Sequence, residues 1–160
     1  MKRLDRKSDC AINYSLEVLG DTWSLLIIRD MVNFGKKTYG EFLASNERIG
    51  TSVLARKLAH LERQGIISRQ TSTEDRRKEE YYLTEKGILL VPLLNELAIW
   101  GATYDQASGA DKRVIDEYRA DRQGVIDRTQ QVLRRGGAVL DNFNYIFQEK
   151  SIATKELVLA

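Results

Sequence analysis

The sequence is poor in the residues that metal, disulfide and cofactor chemistry require. A single cysteine, Cys10, excludes an internal disulfide and a cysteine-based zinc site within one chain. A single histidine, His60, with no His-Glu-x-x-His pattern, removes most metal chemistry. Gly-x-Gly-x-x-Gly, the P-loop and Gly-x-Ser-x-Gly are all missing, so the familiar enzyme signatures are absent and no cofactor is implied. No stretch approaches the roughly 18 uninterrupted apolar residues of a membrane helix. The charged opening MKRLDRKSDC lacks the apolar region of a secretory signal, so a cytoplasmic protein is expected. An excess of one charge is also missing. Lys and Arg total 25 against 23 Asp and Glu, and the net charge of +2 excludes a histone-like polymer binder.

What is present suits a soluble folded chain. Of 160 residues, 42% are hydrophobic and 30% charged, too apolar for a disordered protein. With one proline, Pro92, long runs at helical spacing predict a mainly α protein. A first helix is expected from about Asp9 to Leu19, stopped by Gly20. Asp21 can cap a second from Thr22 to about Val32, whose Trp23, Leu26, Ile27 and Met31 mark it as central and buried. A short helix from Thr38 to about Ala44, a polar turn at Asn46–Arg48 and a helix from Thr51 to Gln64 make a helix-turn-helix candidate. Gly65 falls where a left-handed cap belongs. The period then changes. Ile66–Ser72 and Glu79–Leu83 read as two strands around the charged turn Thr73–Lys78. Thr84 caps a helix to about Tyr104, and Pro92 should bend or break it. A further amphipathic helix spans Val114 to Leu133, with a break expected near Gly124. Leu140, Phe143, Tyr145, Ile146 and Phe147 form a last apolar patch. The fold class is mainly α with a small β-hairpin wing, a winged helix-turn-helix with helical N- and C-terminal dimerisation elements. Two divisions are expected, 1–104 for the winged helix-turn-helix domain and 105–160 for a helical C-terminal extension.

The Thr51–Gln64 helix divides into two faces. Leu54, Leu58 and Leu61 fall together and should pack inward. Ser52, Arg56 and Arg63 fall opposite, with Ala59 and His60 beside them. A recognition helix needs this division, because one stripe anchors it while the other offers donors to base edges and phosphates. Arg56 suits guanine O6 and N7, worth about 1–3 kcal/mol of discrimination. Thr51, Ser52 and Lys57 join the same candidate face, and His60 is a phosphate contact or simply exposed. Any surface helix has a polar outer face, so a second feature is needed. Arg76, Arg77 and Lys78 lie together on the hairpin turn, where they can reach a phosphate backbone or a minor groove, unless Asp75 holds one of them. Lys36, Lys37 and Thr38 open the first helix of the pair and form a third cationic point.

The segment from Cys10 to Asp30, with Leu19-Gly20-Asp21-Thr22-Trp23 leading into an apolar helix, resembles the opening of HxlR-type transcriptional regulators. Lys37-Thr38-Tyr39-Gly40-Glu41-Phe42 resembles that family's next helix. Ile49 through Ile67 resembles its recognition helix and first wing strand. Tyr81-Tyr82-Leu83-Thr84-Glu85-Lys86-Gly87 resembles the second wing strand and cap, and Trp100-Gly101 the helix end. The resemblance covers about Cys10 to Gly101. It implies a bacterial or archaeal DNA-binding regulator acting as a homodimer on duplex DNA. The Asp75-Arg76-Arg77 wing is closer to the related MarR regulators, in which a wing arginine enters the minor groove, so Arg76 or Arg77 is the matching candidate. Ala11 stands where the family commonly has proline. The stretch from about Tyr104 to Ala160 has no counterpart in short family members.

By the same resemblance Cys10 is a candidate sensor of oxidants, quinones or aldehydes. It lies near a helix N-terminus and close to Arg6 and Lys7 in sequence, which favours thiolate. The alternative is a small buried apolar residue. A pocket for a small aromatic effector is the other route to regulation. Dimerisation needs apolar surface outside the reading face. The first helix with the Leu89–Trp100 helix, and the 114–133 stripe, both supply it, unless the extension folds back on its own domain. The rival to a DNA-binding regulator is a winged helix used for protein assembly.

Overall fold

The computed structural model describes residues 8–140. Among them ten elements follow in the order α1 (Ala11–Leu19), α2 (Thr22–Phe34), α3 (Tyr39–Leu43), α4 (Thr51–Arg63), β1 (Ile67–Thr71), β2 (Glu79–Leu83), α5 (Glu85–Ile88), α6 (Val91–Tyr104), α7 (Lys112–Ala120) and α8 (Arg122–Arg134). Of the expected features, Arg6, Lys7, Phe143, Tyr145, Ile146 and Phe147 lie outside the described residues.

Local chemistry accounts for most boundaries. The Asp21 carboxylate accepts the amides of Trp23 at 2.9 Å and Ser24 at 3.1 Å, two of the donors that a helix start leaves unpaired. α2 ends at Gly35, whose φ of 63° is left-handed. Gly65 has φ 67° and sends the chain from α4 into the wing. Pro92 breaks the α5–α6 run rather than bending it. Lacking an N–H, it cannot bond the Ile88 carbonyl four residues back, and the chain passes through Leu89 and Leu90 before α6 begins. The expected single helix over 114–133 is two helices. The break falls at Asp121 rather than at Gly124, because Asp121 ends α7 and caps α8 through Gly124 N–H at 3.0 Å. Gly124 has its own reason: a Cβ there would sit 2.1 Å from Asp121 Oδ2.

The wing is an antiparallel pair in the register Ile67↔Leu83 to Thr71↔Glu79. Thr38 bridges Glu80, and Tyr81 N–H donates to Lys37 O at 2.7 Å, so the entry to α3 lies against the free edge of β2. One core holds the domain. Ile27, Ile28 and Met31 of α2, Phe42 of α3, Leu54, Leu58 and Leu61 of α4, Ile66, Ile67 and Val91 are buried together. Each fully buried aliphatic side chain contributes about 1.5–3 kcal/mol.

The described part of the extension folds back. Tyr118, Val125 and Ile126 pack with Ile99 of α6, while Leu133 and Val139 pack on the main core. Arg134 pairs with Glu85 of α5. The 114–133 stripe is therefore buried within its own chain instead of being free for a partner.

Candidate nucleic-acid interface

α4 presents the two-faced layout in three dimensions. Leu54, Leu58 and Leu61 are buried, while Thr51, Ser52, Arg56 and Arg63 are exposed on the other side. Tyr39 OH donates to Thr51 O at 2.7 Å and braces the start of the helix against α3. Gly50 is the N-cap, and no side chain caps it, so the first amides of α4 are not taken by a neighbouring side chain. No acidic residue occupies that first turn. Ala55, passed over in the sequence reading, is exposed beside Arg56, and a small apolar group there suits a thymine methyl. Arg48, also passed over, is exposed in the turn before α4 with φ 57°. Its place directly ahead of the recognition helix is the signal that could have found it.

Lys57 is turned inward rather than toward the reading face. Its Nζ pairs with Asp21 Oδ2 at 2.7 Å. At 100° per residue Lys57 stands only about 40° from Leu61, so it lies on the shoulder of the buried stripe. The link ties α4 to the cap of α2. Burial pushes the Asp21 carboxyl up, but Lys57, Ser24 and the two cap amides outweigh it and hold it low. His60 is likewise held within the fold. Nε2 donates to Val18 O at 2.9 Å, a carbonyl in the last turn of α1, and Nδ1 lies 3.3 Å from an Arg63 nitrogen.

The α3 entry also differs from the expectation. Lys36 Nζ bonds Asp30 Oδ2 at 2.8 Å and Ser45 Oγ at 2.7 Å. Its charge is neutralised by a carboxylate that is itself buried. The amides of Lys37 and Thr38 donate to Glu41 Oε2 at 2.8 and 2.7 Å in a capping box. The place meant for a phosphate oxygen is taken by the protein's own carboxylate, and Thr38 serves as a helix cap. The Lys37 ammonium lies 5.3 Å from the Tyr82 ring centre.

At the wing tip the three cations differ. Arg77 is held by Asp75 through Nε at 3.1 Å and Nη2 at 3.3 Å. Lys78 Nζ lies 3.9 Å from the same carboxylate. Arg76 is exposed and stands outside this cluster. Ser72, buried at the base of the turn, accepts the Glu74 amide at 3.3 Å and keeps the tip in shape.

Away from these residues, two helices show apolar surface. Ile12 and Leu16 of α1, Leu93, Leu97 and Trp100 of α6, Leu89 before it and Tyr104 at its end are exposed, Trp100 and Tyr104 by 66% and 71%. The 20-residue span Glu85–Tyr104 is apolar enough by composition to cross a bilayer. It is broken at Leu89–Leu90, and its Glu96 pairs with Arg122 at 2.6 Å. Cys10 is exposed at the N-cap of α1, not buried, and its amide donates to Ser8 Oγ at 3.3 Å.

A helix pair with an exposed second helix, followed by a two-stranded hairpin whose tip carries three cations, is a winged helix-turn-helix. A model of the HxlR-like helix-turn-helix family matches residues 18–108, and the chain belongs to that family. It is 30% identical over 114 residues to the HTH-type transcriptional regulator YybR of Bacillus subtilis, covering 71% of this chain and 85% of YybR. It is 32% identical over 95 residues to an HTH-type transcriptional regulator of Methanothermobacter thermautotrophicus, covering 59% of this chain and 72% of that one. The crystal structure of PA1607 shares 34% identity at a TM-score of 0.59, over 66% of this chain and 72% of PA1607. The redox regulator HypR in its oxidised form shares 30% identity at 0.55, over 61% of this chain and all of that one.

Proposed function

We propose that the chain acts as a cytoplasmic homodimer on a palindromic operator, with one α4 helix of each copy in the major groove and the wing tips on the flanking DNA. The observation that carries this reading is the exposed Ser52–Arg56 face of a helix whose leucines are all buried and whose N-terminal amides no side chain occupies. Arg56 reads a base, while Ser52, Thr51 and Arg63 meet phosphate or base edges. Arg76 is the wing residue best placed to enter a minor groove, with Arg77 and Lys78 on the backbone. Lys37 is the one remaining cation of the α3 entry able to reach a phosphate. The partner of the apolar α1 and α6 faces is a second copy, since twofold pairing sets two half-sites about one helical turn apart.

Cys10 is the proposed point of oxidant or electrophile response. It is exposed, and the neighbouring HypR is a redox regulator. With one cysteine per chain, the products are an adduct or sulfenic acid on Cys10, or a disulfide between copies.

Gel shift with the gene's own upstream DNA tests the DNA reading. Neutralising 6–10 phosphates predicts a loss of about 10³–10⁵ in affinity between 50 and 200 mM salt. Arg56→Ala should relax sequence preference at one base pair per half-site. Binding absent at low salt with every upstream fragment would favour a winged helix used for protein assembly. For Cys10, a Cys10→Ser protein whose DNA binding responds to diamide or quinone as the parent does would remove the sensor.

A further inference from the structure

The family match ends at residue 108, and the chain beyond it bears on α6. That helix is anchored at its start, where Val91 is buried in the main core and Leu94 packs against it. Further on, Leu97, Trp100 and Tyr104 are exposed. Residues 95–104 form an arm about 15 Å long. On this arm Ile99 packs on Tyr118, Val125 and Ile126 of the extension. Polar contacts follow the same face. Tyr118 OH donates to Glu96 at 2.8 Å, Arg122 pairs with Glu96 at 2.6 Å, and Arg119 Nη2 donates to Thr103 Oγ1 at 3.4 Å. With 3.6 residues per turn, Glu96, Ile99 and Thr103 stand about a quarter turn from Leu93, Leu97, Trp100 and Tyr104. The extension therefore holds the arm and leaves its apolar stripe open.

The extension is itself braced and tied to the reading domain. Arg128 of α8 pairs with Glu117 of α7 at 3.2 Å and with Asp121, between the two helices, at 3.0 Å. Past the end of the arm contact, Leu133 and Val139 pack on the main core, and Arg134 pairs with Glu85 of α5. Val139 N–H donates to Val32 O and Leu140 N–H to Asn33 O, both at 2.9 Å. These are two of the carbonyls that the last turn of α2 leaves unpaired. α8 thus makes a second connection between α6 and the domain, beside the break at Leu89–Leu90.

We propose that the extension is a buttress that fixes the direction of α6 and so sets which half-site spacing the dimer reads. The use of the buttress rests on reading α6 as the dimer helix of a DNA-binding protein, while its rigidity does not. In such a dimer the two α4 helices are joined through two α6 arms, and an angle in the arm becomes a distance between reading helices. One base pair more or less moves a half-site by about 3.4 Å and turns it by about 35°. Shared by two arms of about 15 Å, that is a swing of about 6° and a twist of about 17° on each. An arm held only by Val91 and Leu94 can yield by such angles. One also pinned at Glu96, Ile99 and Thr103 resists them.

The test is Ile126→Asp in the full chain, with Ile99→Asp as the matching change across the contact and Ile126→Val as the conservative control. Neither residue belongs to the main core, so α4 and the wing should keep their amide spectrum. Ile99 is half-buried on an exposed arm, and its variant keeps the test open if Ile126→Asp fails to fold. Residual dipolar couplings of backbone amides, measured without DNA, report the direction of α6 relative to α4. One alignment should fit both helices in the parent and in Ile126→Val. In the Asp variants the couplings of residues 97–104 should shrink while those of α4 stay. Duplexes carrying the half-sites of the gene's own upstream DNA, at their natural spacing and with one base pair added or removed between them, read the consequence. The parent should prefer the natural spacing by about tenfold or more and the Asp variants by about threefold or less, with the same half-site sequence. Unchanged couplings, or an undiminished spacing preference in the Asp variants, would each overturn the proposal. A parent that holds one alignment yet binds no upstream DNA keeps the brace on α6 and loses the regulator.

Discussion

Asp30→Ala tests how the reading helix is held in place. Asp30 is 2% exposed. It accepts from Lys36 Nζ at 2.8 Å, Ser45 Oγ at 2.5 Å and Arg29 Nη2 at 2.5 Å, so one carboxylate of α2 fixes both the entry to α3 and the turn leading to α4. Arg29 reaches on to Glu47 at 2.7 Å in the same turn. Removing Asp30 leaves two cations without their buried counterion, a change that costs about 3–5 kcal/mol when both partners are fully buried. Arg29 and Lys36 keep 29% and 20% of their side-chain exposure and can regain water. The expected loss is therefore at the low end, about 3 kcal/mol. For a chain of this size that lowers Tm by about 6–12 °C. The pH dependence follows from the same contacts. Burial pushes the Asp30 carboxyl up, but hydrogen bonds from Lys36, Ser45 and Arg29 and the Arg29 charge outweigh it and hold it below the usual 3.8. A carboxyl lowered in the native state binds more protons when unfolded. Its stabilisation is complete above the unfolded value and is lost as pH falls through the native one. Urea unfolding of both proteins by circular dichroism, at one fixed concentration, should show a constant gap from neutral pH down to about 5, narrowing below 3.8. A gap under about 1 kcal/mol at neutral pH, or one that widens on acidification, would refute the reasoning.

Three further outcomes are expected. Arg76→Ala should weaken operator binding more than Arg77→Ala, because Asp75 already holds Arg77, and if Arg76 lies on phosphate the salt slope should fall by about 0.9; equal losses would count against Arg76 as the entering residue. Trp100→Glu places a charge on the exposed α6 face, where each aromatic ring can bury about 150–250 Å², and sedimentation should show it monomeric at a concentration where the parent is dimeric. Gly87→Ala puts a Cβ 2.3 Å from Ile66 O, an overpacking that should cost about 1–3 kcal/mol in thermal unfolding; an unchanged Tm would show that the wing base has room to move.

The sequence by itself determined the order of elements and the two faces of α4. Those follow from periodicity and caps, which act over three or four residues. Asp21, Gly65, Thr84 and the leucines of α4 each do locally what their spacing implies. The family was legible for the same reason, since its motifs are short runs at fixed spacing. Tertiary structure decided which cations are available. Lys36, Lys57 and His60 resemble Arg56 and Arg76 in sequence, yet Asp30, Asp21 and Val18 O hold them from six or more residues away. It also decided that the 114–133 stripe covers its own domain and that Ile99 of α6 rests on it. No local pattern carries that information. A charged side chain takes the nearest counterion and an apolar face the nearest apolar surface, and nearness is fixed only when distant segments meet.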